Sequence, residues 1–242
     1  MAYRMWKKTA SEAGVQLIAA TIDTDKNNSM NSVVDSVLGA LNDNSCLDKP
    51  LAIFGHSLGG IVGYEIARKL QALDCPPFLL MVSSVKSPEA LTQHNVSDAP
   101  KRSLMSKEQL FDNIVSTGGL KKGVDPGFLK HSLGKMQKDF AIFDNYKLND
   151  LLHYRLECPI VTFGGVQDEV GTFETMAPWQ HYSESTHGDH LMPSHHSFAD
   201  GDHMYFESAQ YQEAVPQLVF DEIHSRISDR RPRAFSVVDG FI

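Results

Sequence analysis

Residues Gly55-His56-Ser57-Leu58-Gly59 stand at a junction that few backbones accommodate. Before them, Leu51-Ala52-Ile53-Phe54 is a short continuous apolar run and reads as a buried strand. After them, Ile61 to Gln71 has helical spacing, with Val62, Ile66 and Leu70 on one face and the small Gly63 and Ala67 permitting close packing. A strand that turns sharply into a helix around Gly-x-Ser-x-Gly is the setting of a nucleophile elbow. Glycines flank the serine because so tight a turn leaves no room for side chains, and glycine has no Cβ to clash. Ser57 Oγ then projects from the carboxyl end of a strand at the amino end of a helix. There, backbone N–H groups and the helix dipole favour developing negative charge. The alternative is an ordinary strand–helix turn with an incidental serine; the flanks favour the nucleophile.

The rest of the chain alternates in the same way. Val15 to Ile22 reads as a strand, and Val33, Val34, Val37, Leu38 and Leu41 place an amphipathic helix over Met30 to Leu41. Phe78 to Val82 and Ile160 to Phe163 are continuous apolar runs, as fully buried strands require. Strands alternating with helices predict an α/β fold with a mostly parallel sheet covered on both faces. From Ser97 to Tyr146 no strand pattern occurs. Ser106-Lys107-Glu108-Gln109 resembles a helix start, while Gly118-Gly119 and Asp125-Pro126-Gly127 are breakers. This predicts a helical lid insertion over about residues 97–146, inside a single domain spanning 1–228. Ser208 to Ile227 reads as a closing helix, and the 229–242 tail with its Arg-Arg-Pro-Arg cluster as a loosely ordered, solvated end.

Composition excludes some functions. The net charge of −8 and pI near 5.7 argue against nucleic-acid binding, which needs a basic face. The three cysteines, Cys46, Cys75 and Cys158, form neither a disulfide framework nor a metal spacing. Met1 to Gly14 has no apolar signal-peptide core, and no run approaches the length of a membrane span, so the expected compartment is the cytoplasm.

A serine hydroxyl needs an adjacent base, itself oriented by a carboxylate. Around an elbow of this type the partners follow in the order Ser, acid, His. Asp168 is the acid candidate: it lies just beyond a buried strand, and its shorter side chain suits that turn better than the neighbouring Glu169. Eleven histidines compete for the base. Gly-Asp-His occurs at Gly188-Asp189-His190 and again at Gly201-Asp202-His203. The second precedes the closing helix, where chain order puts the base, so His203 is favoured over His190. His181, His187, His190, His195 and His196 match no metal-binding helix motif and read as a solvated loop. His56, inside the elbow, reads as a packing or orienting residue.

With these residues in place, the chain resembles the stand-alone (type II) thioesterases of polyketide and non-ribosomal peptide synthesis, which are α/β-hydrolases. The resemblance runs from about Tyr3 to Ile227. It rests on Tyr3 to Trp6, on Phe54-Gly55-His56-Ser57-Leu58-Gly59-Gly60, and on Gly118-Gly119 and Asp139-Phe140 with Tyr146 in the lid. It continues through Cys158-Pro159-Ile160, Gly164-Gly165 with Asp168, Trp179, and Gly201-Asp202-His203-Met204-Tyr205. The resemblance implies Ser57, Asp168 and His203 as a catalytic triad and the Leu58 backbone N–H as an oxyanion donor. It implies an acyl carrier protein or acyl-CoA as partner, with the phosphopantetheine arm carried by the substrate, and neither a cofactor nor a metal in the enzyme. Two departures stand out. An insertion with the spare histidines lies between Trp179 and His203. The family's first strand, whose loop supplies the other oxyanion donor, would precede Met1, and an N-terminal extension beyond this sequence is expected to carry it. Two other readings use the same residues: an oxyester hydrolase, and a catalytically impaired hydrolase fold that binds a synthase.

Overall fold

The structure, a computed structural model, describes residues 6–119, 126–148, 155–184, 195–227 and 236–239, with only the backbone course for 126–131 and 236–239. Six strands form one sheet: β1 (Gln16–Ala19), β2 (Leu51–His56), β3 (Leu79–Ser83), β4 (Ile160–Gly165), β5 (His195–Phe198) and β6 (Ser236–Asp239). Their order is β1-β6-β2-β3-β4-β5, and every neighbouring pair is parallel.

Side chains alternate across this sheet, as the strand period requires. Ile53, Leu80, Val82 and Ile160 face one layer with α2 (Met30–Asp43) and α3 (Leu58–Ala72). Ala52, Phe54, Leu79, Met81, Val161 and Phe163 face the other, with α1 (Trp6–Glu12) and α8 (Ala214–Ile227). Both faces are covered, which is why β2, β3 and β4 are buried at every position. Trp6 fixes α1 to the sheet, its ring 5.0 Å from that of Phe54. The expected α/β class holds, with β1, β2, β3 and β4 near their expected places.

Between β3 and β4 the described residues contain no strand of the sheet but α4 (Pro88–Val96), a 3₁₀ turn at Arg102–Leu104, α5 (Lys107–Ser116) and α6 (Pro126–Asp144). The helix start at Ser106 is a capping box, its hydroxyl accepting from Gln109 N–H while Gln109 accepts from Ser106 N–H. Leu110, Ile114 and Leu133 form a separate small core that holds α5 and α6 together. A short α7 (Phe173–Met176) follows β4.

Two expectations are corrected. His195 and His196 do not lie in a solvated loop but on β5, at the edge of the sheet. Neighbours satisfy their polar atoms: His195 Nδ1 is 2.7 Å from Thr162 Oγ1, and His196 Nε2 is 2.6 Å from Glu222. The tail is not loosely ordered throughout either. Ser236–Asp239 is β6, and it pairs with β1 on one side and β2 on the other. Backbone groups along the facing edges of β1 and β2 need partners. A Ser-Val-Val run with high strand propensity supplies them. The sheet position beside the elbow strand, which the family resemblance gives to a strand upstream of Met1, is thus filled from the opposite end of the chain. His190, Tyr3 and the Arg-Arg-Pro-Arg cluster lie outside the described residues. No helix among the described residues is long and apolar enough to cross a membrane.

Candidate active site

The elbow is strained in the way its motif predicts. Ser57 sits at φ 53°, ψ −124°, between the end of β2 and the start of α3. A non-glycine residue there costs on the order of 1–3 kcal/mol, which the surrounding packing must hold. Ser57 N–H donates to the carbonyl of Ser83 at 2.8 Å, tying the turn to the end of β3. A Cβ on Gly55 would lie 2.2 Å from the carbonyl oxygen of Gly59, so only glycine fits where the strand passes the helix start. Leu58 opens α3, and first-turn N–H groups have no carbonyl partner within their helix.

Ser57, Asp168 and His203 come together from three loops at the carboxyl ends of β2, β4 and β5. His203 Nε2 is 3.2 Å from Ser57 Oγ. His203 Nδ1 donates to both Asp168 oxygens, at 3.2 and 3.1 Å. The acid and histidine loops are tied together by Gln167 N–H donating to Gly201 O at 2.8 Å and Val166 N–H donating to Phe198 O at 3.0 Å. Asp168 Oδ1 also accepts from the N–H groups of Val170 and Gly171, at 2.8 and 3.1 Å. Burial alone would push the Asp168 carboxyl up; the hydrogen bond and positive charge of His203, with the Gly171 N–H, outweigh it and hold the group at about 2. Glu169, the competing acid, has no bond to His203 among these contacts.

Asp168→Asn therefore has a stability signature. A carboxyl depressed from its usual value near 4 stabilises the fold fully above that pH and ceases to as pH falls through about 2. The substitution is expected to remove roughly 2–3 kcal/mol at pH 7, with the gap to wild type narrowing once pH drops below about 4. Urea unfolding at pH 7 and at pH 3 measures it; a gap that stays constant would count against the ionised pair.

Behind His203 lies a buried chain of three polar groups. Tyr205 OH is 2.8 Å from Ser83 Oγ, which is 2.9 Å from His56 Nδ1. Burial pushes the Tyr205 phenol up, so it keeps its proton. Burial and the neighbouring His203 hold His56 well below the ordinary imidazole range, so it stays neutral. Its ring packs 4.8 Å from that of His203 and 4.6 Å from Phe206, in keeping with the packing or orienting residue read from the sequence. Ser83→Ala would leave Tyr205 OH and His56 Nδ1 without their buried partner. A loss of about 1–3 kcal/mol is expected, read as a shift in urea midpoint at unchanged slope. Neither Ser83 nor Tyr205's hydroxyl was legible as part of the site, because no local pattern links residues on β3 and after β5.

A cavity of about 260 Å³ opens from Ser57 and His203 toward the helical insertion. Its far wall is mostly apolar, with Ile114 from α5, Met136, Phe140 and Phe143 from α6, and Met204 beside the histidine loop. Gly118, at φ 70°, brings the insertion's backbone against that loop; a Cβ there would lie 3.2 Å from the Cβ of Asp202. Arg102 is the one lysine or arginine among the described residues of the lining, and nothing in the sequence singled it out. Among the described residues no group of three or more His, Cys, Asp or Glu side chains could hold a metal ion.

With this geometry in hand, relatives can be compared. Thioesterase TesA of Mycobacterium marinum is 25% identical over 196 residues, spanning 80% of this chain and 70% of that protein. The gramicidin S biosynthesis protein GrsT of Aneurinibacillus migulanus is 25% identical over 166 residues, 67% of this chain but only 59% of GrsT. The fold is similar to that of RedJ, a thioesterase from the prodiginine biosynthetic pathway of Streptomyces coelicolor, with TM-score 0.68 at 18% identity over 88% of this chain and 87% of that one. A family model described as the thioesterase domain matches residues 2–223, which takes in the elbow, the insertion, the acid loop and the histidine loop. The chain belongs to the thioesterase domain family.

Proposed function

We propose that this protein is a type II serine thioesterase that frees acyl groups from the phosphopantetheine thiol of a carrier protein or of CoA, in fatty-acid- or polyketide-type biosynthesis. The observation that carries the reading is the contact of 3.2 Å between Ser57 Oγ and His203 Nε2 at the end of an apolar cavity. Family membership selects the thioester over other acyl bonds. TesA, GrsT and RedJ carry names that speak of thioesterases and of gramicidin S and prodiginine biosynthesis, and these support the biosynthetic setting.

In the proposed reaction Ser57 Oγ attacks the thioester carbonyl as His203 Nε2 takes its proton. Asp168, ionised throughout the neutral range, holds the imidazole with Nδ1–H toward it and stabilises the imidazolium that forms. The Leu58 N–H, at the positive end of α3, donates to the oxyanion. Collapse breaks the C–S bond, and His203 returns the proton to the departing sulfur. Water then attacks the acyl-serine, gives its proton to the same nitrogen, and the second collapse restores Ser57 while releasing a carboxylic acid. The reaction draws on side chains, backbone and water alone.

The test is turnover of acyl-pantetheine and acyl-CoA thioesters against matched oxyesters, with a fluorophosphonate probe for the serine. Preference for the thioesters and labelling at Ser57 are expected. Labelling with oxyester turnover alone would favour the oxyester hydrolase. A folded protein that neither labels nor turns over would favour the impaired, synthase-binding reading.

A further inference from the structure

The apolar cavity contains a cation that a plain alkyl chain does not need. Arg102 lines it together with Ser57, from the 3₁₀ turn between α4 and α5. Neutral acceptors fix the guanidinium: Nε–H donates to Asn113 Oδ1 at 2.7 Å and an Nη2–H to Thr117 Oγ1 at 3.4 Å. Its face lies over the Phe140 ring, 5.2 Å from the centroid. Asp144, which attracts it from a distance, accepts from Ser103 N–H instead, and the other charged lining residue, Asp139, pairs with Lys135. Arg102 is thus half-buried, held in one orientation, and without a carboxylate in ion-pair contact among the described residues. A second cation, Lys86, lies on the same side, with its ammonium donating to the Val170 carbonyl at the cavity wall. Burial pushes both groups down from their ordinary values, and the more distant carboxylates, Asp144 and Asp168 for Arg102 and Asp168 for Lys86, offset it only in part.

We infer that Arg102 is a specificity-determining residue that selects acyl groups carrying an oxygen acceptor, such as a keto, hydroxyl or carboxylate oxygen, over plain alkyl chains. The inference rests on the thioesterase reading and narrows its substrate class. An alkyl chain filling the cavity strips water from the guanidinium and returns no hydrogen bond; an oxygenated chain replaces that water. Sites built around a polar group discriminate strongly against ligands that leave it unpaired. For a half-buried arginine the expected preference is about 10- to 100-fold in kcat/KM.

The experiment compares hexanoyl with 3-oxohexanoyl thioesters, each on CoA and on N-acetylcysteamine, for wild type, Arg102→Met and Arg102→Lys. Wild type is expected to favour the 3-oxo chain on both thiols. Arg102→Met should lower that ratio at least about tenfold, with Arg102→Lys between them. If Arg102→Met fails to fold by circular dichroism, Arg102→Lys gives the same readout. Equal slowing of both chains would make Arg102 a mere prop for the insertion and overturn the inference. A loss confined to CoA substrates would assign it to the phosphate of the arm and overturn it as well. No turnover of any of the four by wild type would reject the thioesterase reading itself, before any ratio is formed.

Discussion

Ser57→Ala is expected to lower thioester turnover on the order of a million-fold, while the unfolding midpoint stays within about 0.5 kcal/mol of wild type. The kinetic loss follows from the proposed chemistry: with no Oγ there is no acyl-enzyme, and His203 is left with only water to activate. The stability claim follows from the local structure. Ser57 precedes α3 yet makes no side-chain capping hydrogen bond, so alanine removes no helix cap. Its strained φ of 53° is as costly for alanine as for serine, so the backbone strain is unchanged. Ser57→Ala combined with His203→Ala should cost little more than either alone, because the two act as one unit. Steady-state kinetics on an acyl-CoA, with urea unfolding in parallel, measures both. A residual rate within about a hundredfold of wild type would move the nucleophile elsewhere.

Ending the chain after Ile227 is expected to have a comparable effect by a different route. It removes β6, which pairs with β1 through Gln16 to Ala19 and with β2 through Leu51 to Phe54. Both edges then face a gap in the middle of a parallel sheet, next to the strand that carries Ser57. Each buried backbone group left without a partner costs about 1–3 kcal/mol. Several such groups together equal a whole domain's stability of about 5–15 kcal/mol. The truncated protein should therefore lose its cooperative unfolding transition and its thioester turnover together. A synthetic peptide of residues 228–242 added in trans should restore part of both. Circular dichroism melting and turnover of the 1–227 chain decide it; an unchanged midpoint would show that β6 contributes nothing to the sheet.

How much of this was legible varied from element to element, for physical reasons. The interior strands β2, β3 and β4 were readable because burial on both faces demands an unbroken apolar run. The β5 segment, His195-His196-Ser197-Phe198, was not. An edge strand needs only one apolar contact, and Thr162 and Glu222 satisfy its histidines from outside the local sequence. The β6 run was hidden because four residues beside a basic cluster carry no period, and only the gap between β1 and β2 gives them a place. At the site, the elbow announced Ser57 through a local steric rule, while Asp168 and His203 followed from chain order. Arg102 gave no signal, since a cation reads as surface until an insertion folds over it.

The sequence by itself determined the strand–turn–helix at Ser57, the parallel α/β architecture and the apolar faces of the helices. Each of these is a short-range consequence of side-chain size, backbone freedom or hydrophobic period. Tertiary structure alone decided which segment completes the sheet beside Ser57 and that Arg102 lines the cavity. Those are contacts between residues far apart in the chain, and their energies exist only once the sheet has brought the loops to one end.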